Sequence, residues 1–168
     1  METCALVIGG AGAVGGHVVR SLLAQGSHVV VLDDLTSGFV ANLPCDSREV
    51  GPVDGLDHRV RLTERLEFVR GSLQDPGSLD QALAGVTGPV FHLAALFANQ
   101  NSVDHPEDDL TTSGVGTLRL LDAVRRRGCG PLVYTSSSCG YAPASGPMAE
   151  THPLQPATPY AITKLLAE

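Results

Sequence analysis

The sequence predicts an α/β fold organised as a doubly wound parallel sheet, and three observations carry that prediction. Short apolar runs bounded by turn residues alternate with segments of helical periodicity along the chain, the order that parallel strands joined by crossover helices require. A glycine-rich turn, Gly9-Gly10-Ala11-Gly12-Ala13-Val14-Gly15, joins the first run to the first helical segment. The second run closes on a carboxylate, Asp33, 18 residues beyond Gly15.

In chain order, Cys4 to Ile8, His28 to Asp33, Leu66 to Arg70, Pro89 to Ala94 and Pro131 to Ser136 read as buried strands. Helices are expected over Val14 to Gln25, Pro76 to Ala84 and Pro106 to Arg127. The third has the clearest ends: Pro106 near its start, Glu107, Asp108 and Asp109 in its first turn, and Gly128 past its last arginines. A final helix begins with Thr158 as N-cap and Pro159 at the first helical position, and it carries Tyr160 and Lys164. The segment from Gly38 to Arg65, with Pro44, Gly51, Pro52 and Gly55, is the least regular. This is a Rossmann-type plan: strand order 3-2-1-4-5, three layers α/β/α, and a ligand site beyond the carboxyl ends of strands one and four.

The 168 residues suit one domain, spanning 1–168. The formal net charge of −7 disfavours nucleic acid or an anionic membrane as partner. The basic run Arg125-Arg126-Arg127 ends a helix, where the dipole favours cations, and reads as solvated. Cys4, Cys45, Cys129 and Cys139 are scattered, without the paired spacing of a metal site. With no leader or membrane-length apolar span, the expectation is a reduced, cytoplasmic protein without metal.

The glycine turn satisfies two spacings, Gly10-x-Gly12-x-x-Gly15 and Gly9-x-x-Gly12-x-x-Gly15. Residues without side chains permit a tight turn, bring backbone close to a pyrophosphate and direct a helix N-terminus at its charge. Asp33 is placed to accept from ribose hydroxyls. No Lys or Arg lies between Arg20 and Arg48 to neutralise a 2′-phosphate, so NAD is favoured over NADP. Tyr160 and Lys164 are four apart and share a helix face. An ammonium there stabilises a phenolate and suits the tyrosine to take a proton. The hydroxyls of Tyr134-Thr135-Ser136-Ser137-Ser138 follow strand five and reach toward the same substrate oxygen. His17, His28 and His92 read as structural histidines, and Cys139 is not taken as a nucleophile.

Jointly these residues resemble the extended short-chain dehydrogenase/reductase family, specifically its nucleotide-sugar epimerases and dehydratases. The resemblance covers nearly the whole chain. It rests on Gly9 to Gly15, on Val31 to Gly38, on Phe91-His92-Leu93-Ala94-Ala95, on Ser102 followed by Pro106, on Gly116-Thr117, on Ser136-Ser137-Ser138 and on Tyr160 to Lys164. It implies NAD as cofactor, held by Gly9, Gly12, Ala13, Val14 and Gly15 of the turn, and by Asp33, Asp34, Leu35, Ser37 and Gly38 after strand two. Ser72 and Leu73, then Leu93, Ala94 and Ala95, would complete that site, with Tyr160 and Lys164 at the nicotinamide end. It further implies Ser137 as the catalytic hydroxyl, Tyr160 as the base and Lys164 as a ligand of the nicotinamide ribose. Ser102, Ser137 and Ser138 would contact a nucleotide diphosphate sugar.

The implied reaction is epimerisation through transient oxidation: Tyr160 takes a hydroxyl proton while hydride leaves the same sugar carbon, then returns to its other face. Family dehydratases place Asp and Glu directly after the catalytic hydroxyl, whereas this chain has Ser138 and Cys139, which favours an epimerase over a 4,6-dehydratase. Ser72 stands where the family usually has Asp, Ser113 where it usually has Asn, and Gly140-Tyr141-Ala142 replaces Val-Tyr-Gly. Family members also continue past the Tyr–Lys helix with another strand and a substrate-binding region that this sequence lacks. A second reading therefore stays open, a non-catalytic dinucleotide-binding module or an inactive N-terminal fragment. The resemblance implies a homodimer through the helix at 106–127 and the final helix, and a sheet ending at strand five predicts one exposed edge.

Overall fold

The computed structural model describes residues 3–45, 59–96 and 99–168. The part of the irregular segment that contains Gly51, Pro52 and Gly55 lies outside the described residues. The chain divides into two compact units, one of Met1–Ala94 with Arg119–Thr135 and one of Ala95–Leu118 with Ser136–Glu168.

The first unit holds the sheet. Its strands are β1 (Cys4–Ile8), β2 (His28–Asp33), β3 (Arg59–Thr63), β4 (Leu66–Arg70), β5 (Val90–His92) and β6 (Leu132–Tyr134), in the order β3-β4-β2-β1-β5-β6. All pairs are parallel except β3 with β4. The five expected strands thus appear in the expected order, β4 taking the third place and β5 and β6 the fourth and fifth. The last two are shorter than their apolar runs.

Strand period explains the layering. Leu6, Ile8, Val30, Leu32, Val69 and Val90 pack in one cluster with Leu79, Ala82 and Leu83 of α2 (Pro76–Leu83) and with Leu120 and Ala123 of α5 (Gly116–Arg127). The alternate residues Val7, Val29, Val31 and Phe68 pack in another cluster with Val19 of α1 (Ala13–Ala24). A sheet covered on both faces needs apolar residues at every position of its central strands, which is why β1 and β2 read as continuous runs. Phe68 is fully buried, and Phe68→Ala would cost about 3–5 kcal/mol. Helix α2 starts cleanly because Asp75 accepts from Ser78 N at 2.7 Å and Gly77 N at 3.3 Å, with Pro76 behind it.

Strand β3 was not expected. Arg-Val-Arg-Leu-Thr is too polar to read as a buried strand, and it is an edge strand, paired antiparallel to β4 with a bulge between Arg61 and Thr63. Arg59 secures it, its guanidinium 2.5 Å from Glu67 and donating to the carbonyls of Ala84 at 2.6 Å and Gln81 at 3.1 Å. The opposite edge is β6, where Val133 is half exposed.

The second unit contains α3 (Asn99–Asp104), α4 (Pro106–Asp109), a π-helical segment (Leu110–Val115), the start of α5, a 3-10 turn (Ser138–Gly140) and α6 (Pro159–Leu166). The helix expected over 106–127 is therefore interrupted. Thr111 donates to Glu107 O at 2.7 Å and Thr117 to Ser113 O at 2.5 Å, the side-chain back-bonding that loosens a regular ladder. Helix α6 is only eight residues long, too short to persist unpacked, and it lies against α3, α4, the π segment and the 3-10 turn. Small residues permit this: a Cβ on Gly114 would stand 3.3 Å from Leu166, and one on Gly140 3.0 Å from Leu165. Among the described residues no helix is long and apolar enough to cross a membrane.

Candidate active site

In the first unit the glycine turn closes on itself. Gly12 N donates to Gly9 O at 3.2 Å and Gly16 N to Gly12 O at 2.9 Å. Gly9 has φ +78°, a left-handed conformation, and a Cβ there would also stand 2.7 Å from Ala94 N. A Cβ on Gly15 would fall 2.1 Å from Gly9 O. Gly12 is the N-cap of α1 and provides no side-chain acceptor for the first-turn amides, so the helix opens with donors to offer an anion. Ala13 and Val14, the first residues of α1, are exposed.

Asp33 ends β2 with its carboxylate buried. Oδ2 accepts from Ala11 N and Oδ1 from Leu35 N, both at 2.9 Å. Burial raises the acid's pKa, the two backbone donors oppose that, and Asp34 adds to it. A Cβ on Gly38 would lie 2.8 Å from Asp33 Oδ1, so glycine is what lets the loop fold this close. Leu35 has φ +63°, while exposed Asp34 accepts from Thr36 N at 2.9 Å and Ser37 is exposed. Asn42 Nδ2 donates to Ala11 O at 2.7 Å and Phe39 N to the same carbonyl at 3.0 Å, tying the loop to the glycine turn. The first unit therefore brings together the turn, Asp33 and Gly38.

The remaining cofactor candidates vary in what they offer. Ser72 is half-buried, its Oγ accepting from Gln74 N at 3.3 Å. Leu73 and Ala94 pack with the cluster beneath α2 and α5, and Leu93 with the cluster beneath α1, which leaves backbone as what Leu73 has to offer a ligand. Ala95 opens the second unit. Buried His92 rests its ring 5.3 Å from that of Tyr134. Arg125 and Arg126 pair with Asp122 and Arg127 with Asp80, surface pairs worth little.

The second unit gathers the acid–base candidates. Thr158 caps α6 by accepting from Ala161 N at 3.2 Å, and Ser102, from α3, accepts from Tyr160 N at 3.1 Å. Ser102 is thus buried and committed to the helix that bears the tyrosine. Lys164 Nζ lies 5.8 Å from the centroid of the half-buried Tyr160 ring. Lys164 is itself 3% exposed; burial lowers its pKa, and the Asp109 carboxylate pushes it back up. Ser137 Oγ accepts from Cys139 N at 3.2 Å and so starts the 3-10 turn that packs on α6. Ser136 donates a short hydrogen bond to Glu168, and Ser138 is exposed. Asp109, Ser113 and Thr163 form a buried cluster that sequence reasoning misses, because in the sequence Asp109 stands only as one of three first-turn acids. Nothing in Glu107-Asp108-Asp109 marks which one turns inward; packing alone decides it.

A parallel sheet that reverses its winding beside β1, with a glycine cradle after that strand and a carboxylate closing the next, defines the first unit as Rossmann-type. The chain belongs to the NAD dependent epimerase/dehydratase family, whose profile matches residues 5–168. It is 37% identical to a UDP-glucose 4-epimerase of Mycolicibacterium smegmatis, over 97% of this chain and 48% of that protein. Among solved structures it is similar to the Thermus thermophilus UDP-glucose 4-epimerase in complex with NAD, at 32% identity and a TM-score of 0.79, covering 96% of this chain and 47% of that one. It is similar also to the Thermotoga maritima UDP-glucose 4-epimerase with UDP-glucose, at 30% identity and a TM-score of 0.79, over 97% and 48% of the two chains. The chain spans less than half the length of these relatives.

Proposed function

We propose that this chain is the cofactor-binding half of an NAD-dependent epimerase acting on a nucleotide diphosphate sugar. The observation that carries the reading is the pairing of Tyr160 with a buried Lys164 on one helix, in a chain whose other unit has the glycine cradle and Asp33. The cradle suits a dinucleotide, because Gly9 and Gly15 let the backbone close into a turn too tight for side chains, the form that brings amides up to a pyrophosphate. Gly9, Gly12, Ala13, Val14 and Gly15 hold the pyrophosphate, and Asp33 with Asp34, Leu35, Ser37 and Gly38 holds the adenosine side. Ser72, Leu73, Leu93, Ala94 and Ala95 border the same cofactor. NAD, when bound, supplies the reversible hydride acceptor that transient oxidation of a sugar carbon requires.

The chain's own residues do the rest. Tyr160 takes the proton from the sugar hydroxyl, and the Lys164 ammonium 5.8 Å from its ring centre stabilises the phenolate that this needs. Ser137 hydrogen-bonds the reacting oxygen, and Ser138, exposed at the start of the 3-10 turn, meets the sugar. Absence of an acid pair after Ser137 favours epimerisation over dehydration. The relatives that act on or bind UDP-glucose support a UDP-hexose as substrate.

A second reading is favoured by Ser72 and Ser113, which stand where the family usually has Asp and Asn: dinucleotide binding without turnover. Epimerisation of UDP-glucose by this chain joined to the C-terminal half of the Mycolicibacterium smegmatis relative decides between them. Turnover lost in Tyr160→Phe supports the first reading; saturable NAD binding with no turnover supports the second; failure of a folded chain to bind NAD defeats both.

A further inference from the structure

Asp109 is 1% exposed and ends α4, immediately before the π segment. Its carboxylate accepts from Ser113 Oγ at 3.3 Å on one oxygen and from Thr163 Oγ1 at 2.6 Å on the other. The Thr163 hydroxyl also lies 3.0 Å from the carbonyl of Tyr160. One side chain of α4 is therefore bonded to the residue that directly precedes Lys164 and, through it, touches the backbone of Tyr160. Neutral donors alone compensate a buried carboxylate poorly, and an opposite charge nearby does so better.

We propose that Asp109 is a positioning residue for Lys164, fixing the rotation of α6 through Thr163 and serving as counter-ion to the neighbouring ammonium. Three features support this. Lys164 is buried and directly follows Thr163, the residue bonded to Asp109, so a compensating charge is needed close by. The Asp109 carboxylate raises the lysine's pKa against the lowering that burial brings. The other titratable groups on the elements packed against α6 are poor substitutes: Asp104, His105, Glu107 and Asp108 are exposed, Cys139 is a half-buried thiol, and the π segment has none. On α6 itself the titratable groups are Tyr160 and Lys164, and Glu168 beyond it bonds Ser136.

The inference rests on the reading that Lys164 serves Tyr160, yet its test is independent of turnover. Lys164 is the only lysine of the chain, so lysine-selective carbon-13 and nitrogen-15 labelling yields a single side-chain signal to titrate. In Asp109→Asn the midpoint of Lys164 should fall by about one to three pH units relative to the unmodified chain. An unmoved midpoint in a variant whose α6 amides keep their exchange protection would overturn the proposal. If Asp109→Asn does not fold, Thr163→Val takes its place. It removes the 2.6 Å hydrogen bond by which the carboxylate holds α6, so the lysine midpoint should fall as it does in Asp109→Asn; an unmoved midpoint there overturns the proposal equally. A Tyr160→Phe chain that still turned over would defeat the epimerase mechanism while leaving this result untouched.

Discussion

Lys164 and Tyr160 stand one helical turn apart on α6, the ammonium 5.8 Å from the centre of the phenol ring. If that pair does the proton chemistry, removing only the phenolic oxygen separates chemistry from binding. Tyr160→Phe should lower turnover by about 10²–10⁴-fold while NAD affinity, measured by calorimetry, stays within a factor of a few. Equal loss of both would mean the residue holds cofactor and does no acid–base work.

Burial places the Lys164 amine below the ordinary 10.5, with Asp109 offsetting part of the effect. Between the lowered folded value and the unfolded one, the unfolded chain binds the extra proton, so stability rises with pH across that window. Below the window the cost of burying the charge is present in full; above it the cost is gone. Urea midpoints followed from pH 7 upward should climb in the unmodified chain relative to Lys164→Met. Parallel curves would show that the folded lysine titrates normally.

Asp33 accepts two backbone hydrogen bonds as well as facing the loop that ends at Gly38. Asp33→Ala should weaken NAD binding at least about tenfold, since hydrogen bonds to charged groups contribute about 1.5–3 kcal/mol. It should narrow the preference for NAD over NADP, because the carboxylate that repels a 2′-phosphate is gone. Calorimetric titration with each dinucleotide checks both statements.

Glycines 15 and 85 separate crowding from conformation. Gly15→Ala puts a methyl 2.1 Å from Gly9 O, backbone that cannot yield without opening the turn, and should destabilise by about 3 kcal/mol. Gly85 has open space around it but φ +74°, so Gly85→Ala should cost about 1–2 kcal/mol. Only the first should also abolish NAD binding. Urea denaturation and calorimetry on the two variants check the pair of outcomes.

Ser102 belongs to α3 yet accepts the amide proton of Tyr160 at 3.1 Å. Ser102→Ala leaves that N–H without its acceptor, at a cost of about 1–3 kcal/mol. Hydrogen exchange at Tyr160 and Ala161 should quicken well before any change in the sheet amides. Uniform quickening everywhere would indicate global destabilisation instead.

What was readable in the sequence was what a strong local pattern dictates. The continuous apolar runs of β1 and β2, the glycine turn, and Thr158-Pro159 at the head of α6 all follow from period, sterics and capping chemistry, and each is found where expected. Strand β3 was illegible because an edge strand needs no apolar run; Arg59 holds it by reaching across to Glu67. Helix α3 is short and polar, and its Ser102 is defined by a partner 58 residues away. The inward turn of Asp109 has the same character: three adjacent acids look alike until α6 is packed against one of them.

The π-helical segment between Leu110 and Val115 has a consequence for how this region can change over generations. A regular helix turns about 100° with each residue, so a wide turn is a place where one residue can be gained or lost without breaking the helix on either side. Deleting one residue there would turn the wide turn into a regular one and reset the contacts of the segment's own residues, Ser113 on Asp109 among them, while the helical turns on either side stayed helical. Insertion and deletion, rather than exchange of side chains, is then the shortest mutational route to a different setting around the tyrosine and lysine.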